Sequence, residues 1–513
     1  MLPTALLRAR RIALSFALVA LAGCSSDDDG AGDTTPDASE ADTVDDAASG
    51  DTGDDTATED ATETDAVETD GGDDVADAER DAGPDAADVA VDTGPDLGFD
   101  AGEVPTPETG AATTIDPETP SFALGRTGPC GTPTAVDERG LRRWPYLQNI
   151  QPGSAHVVWT ATAGETATVR YARVDDDQWY TMDAVPQAYP ASQTLDAEDY
   201  TAWDARLIGL EPGVDYCWEL WADGEPLVVG GALRTAWRDD SGLSLIAVGD
   251  SGNGSAEQLA LRDQMLEVDA DVFLHLGDMA YGDGTYVEFE RHMFDVYREL
   301  MQAMPMWPTP GNHEYKTNIA TPYINVYYLP EQAWRDNEHE YYYSFDYGNV
   351  HFVSLDSNEV RGLTTLGDSG DDMLDWLEHD LTTNTRPWVV LFMHHPVYSS
   401  GQHGNTTWLQ NSVLPILEDY DIDLVLVGHD HHYERTHAVL AGMASDDPYA
   451  ITYVLAGAGG AGLREATGDW FTAEVNDEVH SFLHFEIDGC AGVGRAIDLD
   501  GNEIDRFEID GCE

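Results

Sequence analysis

Between Gly249 and His431 the chain runs five times through an apolar segment of β character and stops it at a side chain able to bind a metal. The stops are Gly249-Asp250, Gly277-Asp278 with Tyr281, Gly311-Asn312-His313-Glu314, His394-His395-Pro396 and Gly428-His429-Asp430-His431. An apolar run that buries itself and then presents polar side chains at its C-terminal end is how open α/β sheets build sites. Glycine precedes the ligand-type residue in four of the five stops. Glycine there lets a strand leave the sheet in a tight turn and lets the side chain come close to backbone.

The segments around these stops alternate. A strand LSLIAV is followed by an amphipathic helix over 255–268, the strand DVFLHL and a longer helix over 286–304. Next come two strands joined near Tyr347-Gly348, a helix over 371–380 and a strand over 388–393. A helix over 405–420 and the strand Leu424–Val427 follow. The end of the chain, from ITYVLAGAGG onward, reads as strand-rich, with Asp500-Gly501 as a hairpin turn. Such alternation predicts a sheet core with helices outside. Residues 138–237 differ: short strands separated by Gly/Pro turns predict an all-β sandwich, with Trp159, Tyr171, Leu210, Tyr216 and Trp218 in its core.

Charge separates the rest of the chain. The formal net charge is −74. Residues 25–120 hold 32 acids against Arg80 alone and almost no large apolar side chains. Such a segment cannot bury enough area to offset chain entropy, so 25–120 is expected to be a disordered, self-repelling acidic tether. Residues 121–513 hold 66 acids and 20 bases, with Lys316 the single lysine of the chain. That balance excludes nucleic acid and an anionic membrane as partners of the surface. It points to a saline habitat or to divalent-ion binding.

Residues 1–24 read as an export signal, with Arg8, Arg10 and Arg11 ahead of an apolar run over 12–22 too short to span a bilayer comfortably. The run ends in Leu21-Ala22-Gly23-Cys24, which resembles the bacterial lipoprotein box. The resemblance implies lipidation of Cys24 and contact with the membrane through that anchor only. With Ser25 next, it implies an outer-membrane or cell-surface lipoprotein of the bacterial envelope. Of the other cysteines, Cys490 and Cys512 flank a terminal hairpin and are expected to pair, which leaves Cys130 with Cys217.

The side chains at the five stops form an oxygen and nitrogen set without thiolate, suited to Zn, Mn or Fe and less well to Mg. Asp250, Asp278, Tyr281, Asn312, His394, His429 and His431 exceed one ion's needs, so two metals sharing a bridging carboxylate fit. The five blocks, in this order, resemble the calcineurin-like metallophosphoesterases. The tyrosine in Gly277-Asp278-Met279-Ala280-Tyr281 narrows the resemblance to the purple acid phosphatase-like branch. Plant-type members of that branch carry a sandwich domain in front, and 207–216 resembles the turn before a Tyr-bearing strand of a fibronectin type III-like sandwich.

The resemblance covers roughly 138–510 and implies a four-layer αββα metallophosphoesterase sandwich over 243–510, preceded by the all-β domain over 138–237. Carried over by motif, Asp250, Asp278, Tyr281 and His431 would hold the first metal, Fe(III), which a hard phenolate favours. Asn312, His394 and His429 would hold the second, Zn, Mn or Fe(II), with Asp278 bridging. The implied reaction is hydrolysis of a small phosphate monoester by a hydroxide bridging the metals. His313 and His403 would contact the phosphate or protonate the leaving alkoxide; His313 matches by motif and His403 by loop position. His395 and His432 read equally as surface residues, as partners of the ligands or as catalytic groups. Two other readings remain: a phosphodiesterase or nucleotide hydrolase on the same metals, and a surface binding protein with a vestigial site.

Overall fold

The computed structural model describes residues 108–110, 130–131, 133–136, 140–162, 164–238, 242–331, 340–358 and 370–511. The signal segment with Cys24, nearly all of the acidic stretch, and Cys512 lie outside the described residues.

The all-β part holds two antiparallel sheets. One runs in the order Glu108–Gly110, Trp179–Asp183, Ala167–Arg173, Asp215–Ala222, Glu225–Arg234 and Thr134–Ala135. The other runs Leu141–Gln148, Ser154–Ala161, Tyr200–Ile208 and Val185–Tyr189. Trp159, Tyr171, Leu210, Tyr216 and Trp218 are all buried, and Tyr171 donates to the Ile208 carbonyl at 2.9 Å. A disulfide joins Cys130 to Cys217 across 87 residues of chain. By loop-closure entropy it contributes roughly 4 kcal/mol to stability. Cys490 is also disulfide-bonded.

Glu108–Gly110 departs from the expected tether: these three residues pair with Trp179–Asp183, so the sheet reaches into the acidic stretch. The strand Leu141–Gln148 ties this part to the rest. Arg143 is buried, donates from Nε to Glu290 at 2.9 Å and lies over the Phe294 ring, while Tyr146 Oη donates to the Val326 carbonyl at 2.7 Å.

Two mixed sheets follow. The first is ordered Met306–Pro308, Val272–His275, Leu243–Val248, Ser481–Asp488, Ala491–Asp498 and Glu503–Asp510, with its first three strands parallel. The second is ordered Tyr343–Tyr347, Val350–Ser354, Trp388–Phe392, Leu424–Val427, Thr452–Ala456, Tyr433–Thr436 and Thr472–Asn476. Its three central pairings, from Val350–Ser354 to Thr452–Ala456, use parallel strands.

The period-two alternation of strands builds the layers. Val390, Phe392, Leu424, Leu426 and Val454 share a buried cluster with Leu245, Ala247, Phe482 and Phe485 of the first sheet. The intervening Val389, Leu391, Met393, Val425 and Leu455 pack instead on Trp376 and Leu377 of the helix Gly370–Thr383 and Leu417 of Leu414–Asp419. Helix Ala256–Leu266, capped by the Ser255 hydroxyl accepting from the Gln258 N–H, buries Leu261 and Met265 against the first sheet. The result is helices, sheet, sheet, helices.

One expected helix is broken. The span 286–304 divides into Tyr286–Glu288, a wide π turn Phe289–Phe294 and a helix Arg298–Ala303. The extra residue per turn buries Phe289, Glu290, Met293 and Phe294 together, and Glu290 is the partner of both Arg142 and Arg143. The span 405–420 likewise includes a π turn, Leu409–Val413, ahead of the helix Leu414–Asp419.

Candidate metal centre

Three parallel strands of the first sheet and two of the second end at one edge and deliver the five blocks there. The turns are strained. Asp250, Asp278 and His429 sit at φ 57°, 54° and 76°, in the left-handed region that L side chains rarely adopt. Each costs on the order of 1–3 kcal/mol, and such strain persists where the surrounding structure holds a site in place. Gly428 shows why no larger residue fits: a Cβ there would lie 2.5 Å from Asp250 Oδ2.

The side chains converge. One ligand atom each from Asp250, Asp278 and His394 lie within 4.8 Å of one another, as do those of His394, His395 and His429. Tyr281 Oη donates to Asp250 Oδ1 at 3.1 Å and lies 3.2 Å from His431 Nε2. Asn312 Oδ1 lies 3.1 Å from His394 Nε2 and 3.0 Å from His429 Nδ1. The structure therefore brings together all seven side chains singled out as ligands. His395 joins them, with its ring 4.3 Å from that of His429 and its Nδ1 2.8 Å from Ser357 Oγ.

Hydrogen bonding prepares these groups for a cation. His394 donates from Nδ1 to the Leu276 carbonyl at 2.8 Å, and His431 from Nδ1 to the Gly462 carbonyl at 2.8 Å. A neutral imidazole so fixed leaves its Nε2 lone pair facing the cluster. His394 Nε2 and Asn312 Oδ1 then meet as two acceptors, an arrangement that a cation between them relieves. Burial holds His394, His429 and His431 below the usual histidine range, His431 at about 4, so they are neutral at pH 7. Asp250 and Asp278 are both buried, and burial with the Asp278 charge pushes the Asp250 carboxyl well above the usual range. Adjacent buried carboxylates among neutral imidazoles call for compensating positive charge. The donor set fits metal ions.

Residues 243–433 match the family model described as calcineurin-like phosphoesterase. The match takes in the part of the chain that carries all five blocks. The chain is 32% identical over 212 residues to purple acid phosphatase 21 of Arabidopsis thaliana, covering 39% of this chain and 46% of that one. It is 30% identical over 194 residues to purple acid phosphatase 18 of the same plant, covering 35% and 42%. The matches thus span about half the length of these relatives or less. The purple acid phosphatase PPD1 from yellow lupin (Lupinus luteus) seeds superposes with a TM-score of 0.61 at 17% identity, covering 75% of each chain, which extends the likeness of fold beyond residues 243–433.

Around the cluster, His313 is half-buried, its Nδ1 donates to the Gly282 carbonyl at 2.6 Å, and its Nε2 lies 4.0 Å from Asp278 Oδ2 and 3.2 Å from Lys316 Nζ. His403 is exposed, its ring 4.3 Å from that of His429 and its backbone N–H bonded to Asp430 Oδ1. The two histidines therefore border the cluster from different loops. His432 is not a surface residue: it is fully buried and bonded to Glu434, whose carboxylate also accepts from the Ser400 N–H. Asp430 and Glu434 thereby anchor the loop that carries His403.

Two features escaped the sequence reading. Glu314 accepts from the N–H groups of Asp278, Met279, Ala280 and Gly311 at 2.7–3.2 Å, which fixes the turns beneath Asp278 and Asn312. Residues 457–460, expected as strand, instead begin a loop 457–464 that follows Thr452–Ala456 and closes over the ligands. Its Ala461 N–H donates to the Asp250 carbonyl at 2.9 Å, and a Cβ on Gly457 would lie 2.1 Å from the Asp430 carbonyl oxygen. The run Ala456-Gly457-Ala458-Gly459-Gly460-Ala461-Gly462 was its signal, since so many glycines weaken a strand and admit close backbone.

Proposed function

We propose that the chain is a dinuclear-metal hydrolase of small phosphate monoesters, acting outside the cytoplasm and held there by a lipid on Cys24. The observation that carries the reading is the convergence of seven ligand-type side chains, with the Nδ1 protons of His394 and His431 bonded to backbone carbonyls away from the centre. Asp250, Asp278, Tyr281 and His431 would hold the first ion, as Fe(III), and Asn312, His394 and His429 the second, as Zn, Mn or Fe(II), with Asp278 shared. When bound, the ions supply Lewis acidity toward a water and positive charge for the phosphoryl oxygens.

The protein's own groups do the rest. Glu314 and the Leu276 and Gly462 carbonyls orient the ligands. His313, with Nδ1 bonded to the Gly282 carbonyl and Nε2 3.2 Å from Lys316 Nζ, would contact a phosphoryl oxygen or hold a proton from the edge of the cluster. His403, at the exposed border, stands where a leaving alkoxide would need protonating. The two antiparallel sheets ahead of the phosphoesterase domain serve as a fibronectin type III-like module. The Cys130–Cys217 disulfide fits an oxidising compartment. No helix among the described residues is long and apolar enough to cross a membrane.

The test uses the full-length chain purified with Fe and Zn or Mn supplied. Hydrolysis of an aromatic phosphate monoester is compared with that of the matching diester, with Asp278→Ala as the blank. Monoester turnover lost in the variant supports the reading. Diester preference moves the function to a phosphodiesterase, and no turnover of either ester by metal-loaded protein removes the hydrolase reading.

A further inference from the structure

The loop that closes over the ligands ends in an arginine that nothing above employs. Arg464 is half-buried; its backbone N–H donates to the His431 carbonyl at 3.0 Å, and its guanidinium NH1 donates to the His429 carbonyl at 3.2 Å and lies 2.6 Å from His403 Nε2. Backbone and side chain are thus both fixed to the block Gly428–His431, from which two proposed ligands come.

The surroundings make this placement unusual. Residues 121–513 carry 66 acids, and arginines such as Arg142, Arg143, Arg173, Arg234, Arg386 and Arg435 are each ion-paired to a carboxylate. Arg464 has no carboxylate partner among the described residues. Its side chain bonds to one imidazole and one backbone carbonyl, and its charge acts on the Asp250 carboxyl without an ion pair to it, which leaves N–H groups of the fork unused at the border of the metal centre. A guanidinium offers five N–H donors in a planar fork, and two bonds do not use them up. Phosphate oxygens are the ligands that this fork matches.

We propose that Arg464 binds a terminal oxygen of the substrate phosphoryl group and thereby sets a preference for monoesters over diesters. The proposal rests on the phosphoesterase reading of the site and deepens it. A monoester brings two negative charges and three terminal oxygens at neutral pH, whereas a diester brings one charge and two terminal oxygens. A fixed cation beside the centre therefore favours the monoester, and supplies at contact some of the attraction that the acidic surface opposes. The loop 457–464 joins two tasks: its backbone holds Asp250 and His431, and its last residue meets the anion.

The test uses full-length, metal-loaded wild type, Arg464→Gln and Arg464→Lys. It reads kcat and KM for an aromatic monoester and its diester, together with the calorimetric Kd for orthophosphate. Loss of one charged hydrogen-bond partner predicts that Arg464→Gln raises the monoester KM and the orthophosphate Kd by about 10- to 100-fold. The diester kcat/KM should fall by less than about 3-fold, and Arg464→Lys should recover part of the loss, since it keeps charge without the fork. Equal losses for both esters, or an unchanged orthophosphate Kd, overturn the proposal. So does a null effect of Arg464→Gln on that Kd in a His403→Ala background, because Arg464 would then act only through His403. Should the wild type turn over neither ester, a weaker orthophosphate Kd in Arg464→Gln would still support the anion contact, separating its fate from that of the hydrolase reading.

Discussion

Two buried histidines on neighbouring parallel strands of the second sheet are used in opposite ways. His351 lies near the start of Val350–Ser354, with Asp346 at 2.8 Å from Nδ1 and Asp380 at 2.8 Å from Nε2. His394 follows Trp388–Phe392 at the other end of the sheet, with Nδ1 bonded to a carbonyl and Nε2 facing Asn312. Burial lowers both, but around His351 the hydrogen bonds to Asp346 and Asp380 prevail and hold it at about 9, whereas His394 stays below the usual range. Where carboxylates take both ring nitrogens, an imidazole becomes a cationic staple, here fastening the helix Gly370–Thr383 to the hairpin beneath it. Where a carbonyl takes one proton and the other nitrogen meets acceptors, it becomes a ligand. Burial alone does not separate the two; the partner of each nitrogen does.

The largest effect that could break this comparison is in activity. His394→Ala should lower kcat/KM on the order of 10³-fold or more and lower the thermal midpoint of metal-loaded protein more than that of metal-free protein. Equal shifts with and without metal would give His394 a structural part only, as His351 has. Next comes Glu314→Gln. An amide cannot satisfy four converging N–H groups, so stability should fall by roughly 4 kcal/mol with or without metal. A loss confined to the metal-loaded protein would assign Glu314 to the ions instead of to the turns.

His351→Gln sharpens the other side. The folded pKa exceeds the ordinary value of about 6.5, so the staple's contribution, roughly 3 kcal/mol, is complete below that pH and is lost as pH rises through about 9. The gap in thermal midpoint between wild type and variant should be widest near pH 6 and close above pH 9, with metal-dependent turnover unchanged. A gap that does not vary with pH would refute the charged staple. The smallest effect concerns the acidic surface, which repels an anionic ester. Raising NaCl from about 0.01 to 0.15 M should increase kcat/KM a few-fold, and a monotonic fall would contradict this.

The five ligand blocks were legible because each combines a local signal, an apolar run, with a residue whose chemistry is rarely left at a strand end by chance. The helix beginning near Ser255, the hairpin turn at Asp500-Gly501 and the core of the all-β part follow from equally local rules. What the sequence hid depends on distant partners. Phe289–Phe294 widens into a π turn where Glu290 meets Arg142 and Arg143 from another sheet, which no helical periodicity records. Glu108–Gly110 owes its strand to the free edge of Trp179–Asp183, not to its own composition. His432 and Asp430 sit among ligands in sequence, yet their side chains serve the loop that carries His403.

The most direct measurement of the central claim is the metal content of the full-length protein and of Asp278→Ala after identical loading and removal of loosely held ions. Two ions per wild-type chain, falling to one or none in the variant, is the result that a shared carboxylate predicts. A single ion in the wild type, or two retained in Asp278→Ala, would contradict it.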